Sequence, residues 1–75
     1  MAFIWDHNFS REIRELGYDT ATQTLVVTFP DRVRRSYAPV TYALYAALRH
    51  TRTPARLFRE MVAGKVPLVA TSRQP

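Results

Sequence analysis

Apolar positions along this chain change their period once. In Thr24 to Phe29 (TLVVTF), Leu25, Val27 and Phe29 alternate onto one face and Val26 and Thr28 onto the other, the signature of a strand. Glu12 to Tyr18 (EIRELGY) predicts a strand before it, joined through DTATQ, a turn-forming stretch led by Asp19. Pro30, Asp31 and Arg32 predict a reversal into VRRSY, where Val33, Arg35 and Tyr37 share a face. Beyond Pro39, which lacks a ladder donor, the spacing becomes helical. Val40 to His50 predicts a helix with Val40, Leu44, Tyr45, Ala47 and Leu48 on one side and Tyr42, Ala46 and Arg49 on the other.

Thr53 followed by Pro54 predicts the start of a second helix, with threonine as N-cap and proline at the first helical position. Leu57, Phe58, Met61 and Val62 form its expected buried stripe, and Gly64 its stop. The fold class that follows is α+β: a three-stranded antiparallel meander, then two helices packed on one face. Leu25, Val27, Phe29, Leu44, Tyr45, Leu48, Phe58 and Met61 should form one core. Residues 1–9 read as a separate aromatic segment, 10–65 as the domain, and 66–75 as a tail in which VPLVAT stands isolated and TSRQP frays.

Composition narrows the chemistry. Seventy-five residues make one domain, near the lower end of what hydrophobic burial alone can hold, so a homodimer is among the expectations. The absence of cysteine removes disulfides, thiolate metal sites and cysteine nucleophiles, and fits a reducing cytoplasm. MAFIWDHNFS has neither the basic lead nor the apolar length of a signal peptide or membrane span, so a cytoplasmic location away from membranes is expected. His7 and His50 lie far apart and no short-range ligand cluster accompanies them, so no metal is expected. Ser10, Ser36 and Ser72 sit in no activating motif, and the two glycines form no phosphate loop. No catalytic residue or cofactor emerges, and the expectation is a protein that is not an enzyme.

Charge is more informative. The net charge is +5, and ten of the eleven basic residues are arginine. Seven arginines fall within twenty-eight positions: Arg32, Arg34 and Arg35 at the second hairpin, then Arg49, Arg52, Arg56 and Arg59. Such a run can track a phosphate backbone, and Tyr42 on the side of Arg49 offers a base a stacking surface. The plainer alternative is a solvated face, with Arg59 paired to an acidic residue such as Glu15. Phe3, Trp5 and Phe9 make a second candidate surface, suited to docking a protein if they do not fold back to complete the core.

From about Ser10 to Val62 the chain resembles the KTSC domain, a short module at the C-terminus of some lysyl-tRNA synthetases and also found as small stand-alone bacterial and phage proteins. Ser10, Ile13, the GYD of Gly17 to Asp19, Leu25, Val27, Phe29, Tyr37, Val40, Phe58 and Val62 carry the resemblance through their order and spacing. Three pieces depart from the family pattern: Arg35-Ser36-Tyr37 replaces Tyr-x-Tyr, Val40-Thr41 replaces Val-Pro, and Thr51 to Ala55 replaces a small Ala-x-Ser-x-Gly turn. The resemblance implies an accessory suspected of binding RNA, with no catalytic residues to carry over. Two functions are therefore expected: RNA or other nucleic-acid binding through the arginines and Tyr42, or, in the alternative, contact with a host or cellular protein, for instance by a phage factor, through the N-terminal aromatics.

Overall fold

A computed structural model describes residues 3–7 and 9–73. Five antiparallel strands follow one another across a single sheet in chain order: β1 (Phe3–His7), β2 (Glu15–Asp19), β3 (Thr24–Thr28), β4 (Val33–Tyr37) and β5 (Leu68–Arg73). Between β4 and β5 the chain forms helices α1 (Tyr42–His50) and α2 (Pro54–Phe58), the latter running directly into a π-helical turn over Arg59–Ala63. The α+β class and the central meander agree with the sequence reading; the count of three strands does not. Residues 3–7 pair with β2, Trp5 opposite Gly17, and the supposedly loose tail pairs with β4 through Arg73 opposite Val33 and Ala70 opposite Ser36. Of the segments read as separate, Met1, Ala2, Asn8, Gln74 and Pro75 lie outside the described residues.

Alternation puts the two faces of the sheet to different uses. Leu16, Tyr18, Leu25, Val27 and Tyr37 point toward the helices, where they meet Val40, Tyr45, Leu48, Phe58 and Val62; Ile13, ahead of β2, closes the same core. Tyr18 and Tyr45 stack within it, ring centroids 4.7 Å apart, and the Tyr18 hydroxyl donates to the Val40 carbonyl at 2.6 Å. Burial pushes the pKa of both phenols above the ordinary tyrosine value, Tyr18 also feeling Asp19 and Tyr45 also Asp6. The opening helix is capped by Thr41, whose Oγ1 accepts the Leu44 N–H at 3.2 Å, so α1 begins later than Val40.

Two details of the second helix differ from expectation. Thr53 precedes Pro54 as predicted, but its side chain caps nothing in α2; its own N–H donates to Thr51 Oγ1 at 3.2 Å. Met61, expected in the core, is 38% exposed, whereas Val62 is fully buried. The π-helical turn explains this. Its N–H groups reach carbonyls five residues back, so each residue advances less around the axis than in an α-helix. Three residues past Phe58, Met61 falls short of the buried side, while Val62, one further on, reaches it. Leu44, Leu57 and Phe29 pack against the core from partly buried positions. Among the described residues no helix is long and apolar enough to cross a membrane.

Candidate nucleic-acid interface

The eight residues singled out for nucleic acid are distributed over several surfaces. On the open face of the sheet, His7, Glu15, Thr28 and Arg34 stand opposite one another across four strands. Nδ1 of His7 lies 2.7 Å from Glu15 Oε2, and Arg34 donates to Glu15 Oε1 and to Thr28 Oγ1, each at 3.1 Å. The His7 hydrogen bond, followed by the bond and charge of Arg34, outweighs partial burial and holds the Glu15 carboxyl below the usual glutamate range. The Arg34 guanidinium also sits 5.0 Å from the Trp5 ring centroid. Arg34 is thus committed within the fold.

The N-terminal aromatics complete that face. Phe3, Trp5 and His7 project from the same side of β1 as a stack, Phe3 and Trp5 with centroids 4.8 Å apart. The Phe3 and Trp5 rings lie directly over Gly17, the backbone neighbour that leaves them room. Trp5 has Phe3 against it and Arg34 over its ring, yet both Phe3 and Trp5 remain more than a third exposed. Phe9 belongs elsewhere, packed against the core from a partly buried position.

Arg49 and Tyr42, expected to act together, have different partners. Arg49 Nε lies 3.0 Å from Asp6 Oδ2, and its guanidinium sits over Tyr45. Tyr42 is exposed at the other end of α1, its ring edge-on to Tyr18 and tilted against Tyr45. Arg32 occupies the β3–β4 turn with a φ of 68°.

The remaining arginines converge. A groove between the segment before β2 and the start of α2 is lined by Arg11, Arg52, Arg56 and Arg59, together with Ser10, Glu12 and Thr53. Local hydrogen bonds shape both of its banks. Ser10 Oγ accepts the Ile13 N–H at 3.0 Å and the Ser10 N–H reaches the Ile13 carbonyl, a tight turn that presents Arg11 and Glu12. On the other bank Thr51 Oγ1 takes the Thr53 N–H and shapes the loop carrying Arg52. Arg56 pairs with Glu60 at 2.9 Å one turn along, and Arg59 approaches Glu12 at 3.6 Å. Four guanidiniums against these two carboxylates leave the groove positive by two charges. Arg11 and Arg52 have no ion pair among the described residues.

A smaller compartment adjoins it, lined by Phe29, Phe58, Ala55, Ala63, Arg35 and the Glu12–Arg59 pair. Arg35 lies on the helix side of β4, its guanidinium 5.6 Å from the Phe29 ring centroid. Arg32, Arg34, Arg49 and Tyr42 therefore line neither space, whereas Arg35 lies in the compartment and Arg52, Arg56 and Arg59 are brought together in the groove beside it. Arg11 joins them without having been predicted: nothing in its immediate sequence marks it, and only the Ser10 turn turns it toward α2. No cluster of three or more potential metal ligands occurs among the described residues.

Comparison with curated proteins finds no match. A solved structure described as a KTSC domain protein from Yersinia pestis superposes with a TM-score of 0.80, covering 99% of this chain and 100% of that one at 19% sequence identity, which establishes a shared fold. The family model for the KTSC domain matches residues 9–65, a stretch that contains the whole buried core and every residue lining the groove. This chain belongs to the KTSC domain family.

Proposed function

We propose that this domain is a non-catalytic binding module whose arginine groove contacts the phosphate backbone of RNA or another nucleic acid. The observation that carries the reading is the convergence of Arg11, Arg52, Arg56 and Arg59 from two loops and a helix, two of them without an ion pair among the described residues. Gathering like charges on a small domain works against its folding, and an anionic ligand offsets that cost. Arg56 and Arg59 hold only exposed partners, and such surface pairs are weak enough to yield to phosphate.

A salt titration of binding to a labelled single-stranded oligonucleotide tests this. The Arg52→Ala/Arg56→Ala/Arg59→Ala variant should bind more weakly to every sequence. It should also lose about 2 from the slope of log affinity against log salt, if each arginine neutralises one phosphate. An absence of affinity at low salt, or a slope the triple variant does not change, would refute the reading. A second reading rests on Phe3 and Trp5, half-exposed aromatics on an edge strand, as a contact for a host or cellular protein. Under that reading Trp5→Ala, and not the arginine variant, abolishes capture of the partner.

A further inference from the structure

We infer that the compartment beside the groove receives one unpaired base of a single-stranded nucleic acid, whose flanking phosphates lie on the arginines. The inference rests on the nucleic-acid reading and adds a base-accepting subsite to it. The two spaces share a wall, since Glu12, Ala55 and Arg59 line both. Their characters differ as the two halves of a nucleotide differ. One is ringed by guanidiniums. The other has an apolar lining of Phe29, Phe58, Ala55 and Ala63, with Arg35 at its rim. At about 280 Å³ it lies at the small end of ligand cavities and suits a single flat ring.

The Arg35 guanidinium already lies over one aromatic ring, that of Phe29, so its planar group is held where a base can meet it. Bases within a duplex are stacked and paired, and cannot enter a recess lined by Phe29, Phe58, Ala55 and Ala63. The site therefore discriminates single strands from duplexes by access, while Arg11, Arg52 and Arg56, which line only the groove, treat both alike. Aromatic and guanidinium surfaces beside a cationic track are the means by which single strands are held with little sequence preference.

Ala63 gives a direct test, because it is exposed and lines the apolar compartment but not the arginine groove. Ala63→Leu fills the space from its rim and leaves the phosphate track untouched. Affinities are measured for a short oligouridylate, for the same backbone with abasic residues, and for an RNA duplex of equal length. The oligouridylate should bind on the order of tenfold more tightly than the abasic strand. Ala63→Leu should erase that difference without altering the salt slope. A thermal melt verifies the fold of the variant, and Arg35→Gln, at an exposed position, supplies a second perturbation of the same space.

Equal binding of base-bearing and abasic strands overturns the inference, as does an unchanged preference in both variants. If the arginine triple variant still flattens the salt slope in that case, the nucleic-acid reading stands alone. If none of the three probes binds at low salt, both fall. Tight binding of an acidic, phenylalanine-bearing peptide, lost in Ala63→Leu while the oligonucleotides are unaffected, would reassign the compartment to a protein ligand and also overturn the inference.

Discussion

Arg32 adopts a backbone conformation that glycine takes freely and residues with a Cβ adopt rarely. The hairpin between β3 and β4 closes with the Arg32 N–H on the Phe29 carbonyl at 2.9 Å and the Phe29 N–H on the Val33 carbonyl at 3.0 Å. That pattern is a tight turn followed by a left-handed residue, and Arg32 fills the left-handed place with its φ of 68°. The conformation costs an L-residue about 1–2 kcal/mol, of which glycine's greater freedom in the unfolded chain recovers about half. Arg32→Gly should therefore stabilise the domain by about 0.5–1 kcal/mol in urea unfolding, and Arg32→Ala should not; equal midpoints for the two would show that the turn carries no such strain. Pro30 and Asp31 announced this reversal in the sequence, and Asp31 Oδ1 indeed accepts the Val33 N–H at 3.0 Å. The left-handed residue was hidden because arginine is not the residue such a position ordinarily selects.

Among the elements, β1 depends on a single absence of atoms. A Cβ on Gly17 would stand 2.7 Å from Trp5 Cζ3 and 2.8 Å from Phe3 Cε1, closer than packed atoms tolerate. Gly17→Ala should lift both rings from the open face of the sheet. The expected cost is about 1–2 kcal/mol, with a red shift of the emission of Trp5, the chain's single tryptophan. Most of that cost should vanish in a Phe3→Ala/Trp5→Ala background, since the clash would be gone; full additivity would place the rings elsewhere. FIWDH has no period-two alternation in its sequence, three apolar residues preceding two polar ones, and its aromatics read equally as a docking surface. LVATSR offered less, because it buries nothing and its strand character comes from pairing with β4. The helices were legible through their period. Only the π-helical turn, which no residue of REMVA signals, displaced Met61 from its expected place.

At the scale of the whole molecule, the two faces of the sheet divide the labour. One carries the helices and, at the margin where the segment before β2 meets the start of α2, the arginine groove; the other is covered in part by the Phe3–Trp5–His7 stack. The basic character of the chain was visible in composition, but its partition was not. Whether an arginine faces a carboxylate or an empty groove depends on chain-distant neighbours: Asp6 meets Arg49 and Glu15 meets Arg34, across forty-three and nineteen positions. Arg11 is presented by the local Ser10 turn, yet its neighbours across the groove come from a helix more than forty positions later.

The chain-order arrangement of the strands also sets how the protein opens. Among the described residues, all fully enclosed side chains come from Ile13 to Val62, and β5 contributes none. Detaching either outer strand breaks one ladder, and for β1 also the Ile4 and Asp6 contacts with the helix side, but leaves the central three strands paired, so the edges respond to fluctuations smaller than global unfolding. Amide deuteration should accordingly reach β1 and β5 first, with β3 protected until the entire molecule unfolds; uniform protection across five strands would mean that the edges and the centre form one cooperative unit. Proteolytic nicking at the C-terminal end would then remove β5 without exposing the tyrosine stack inside, whereas loss of β1 would take away Ile4 and Asp6, which pack against that core.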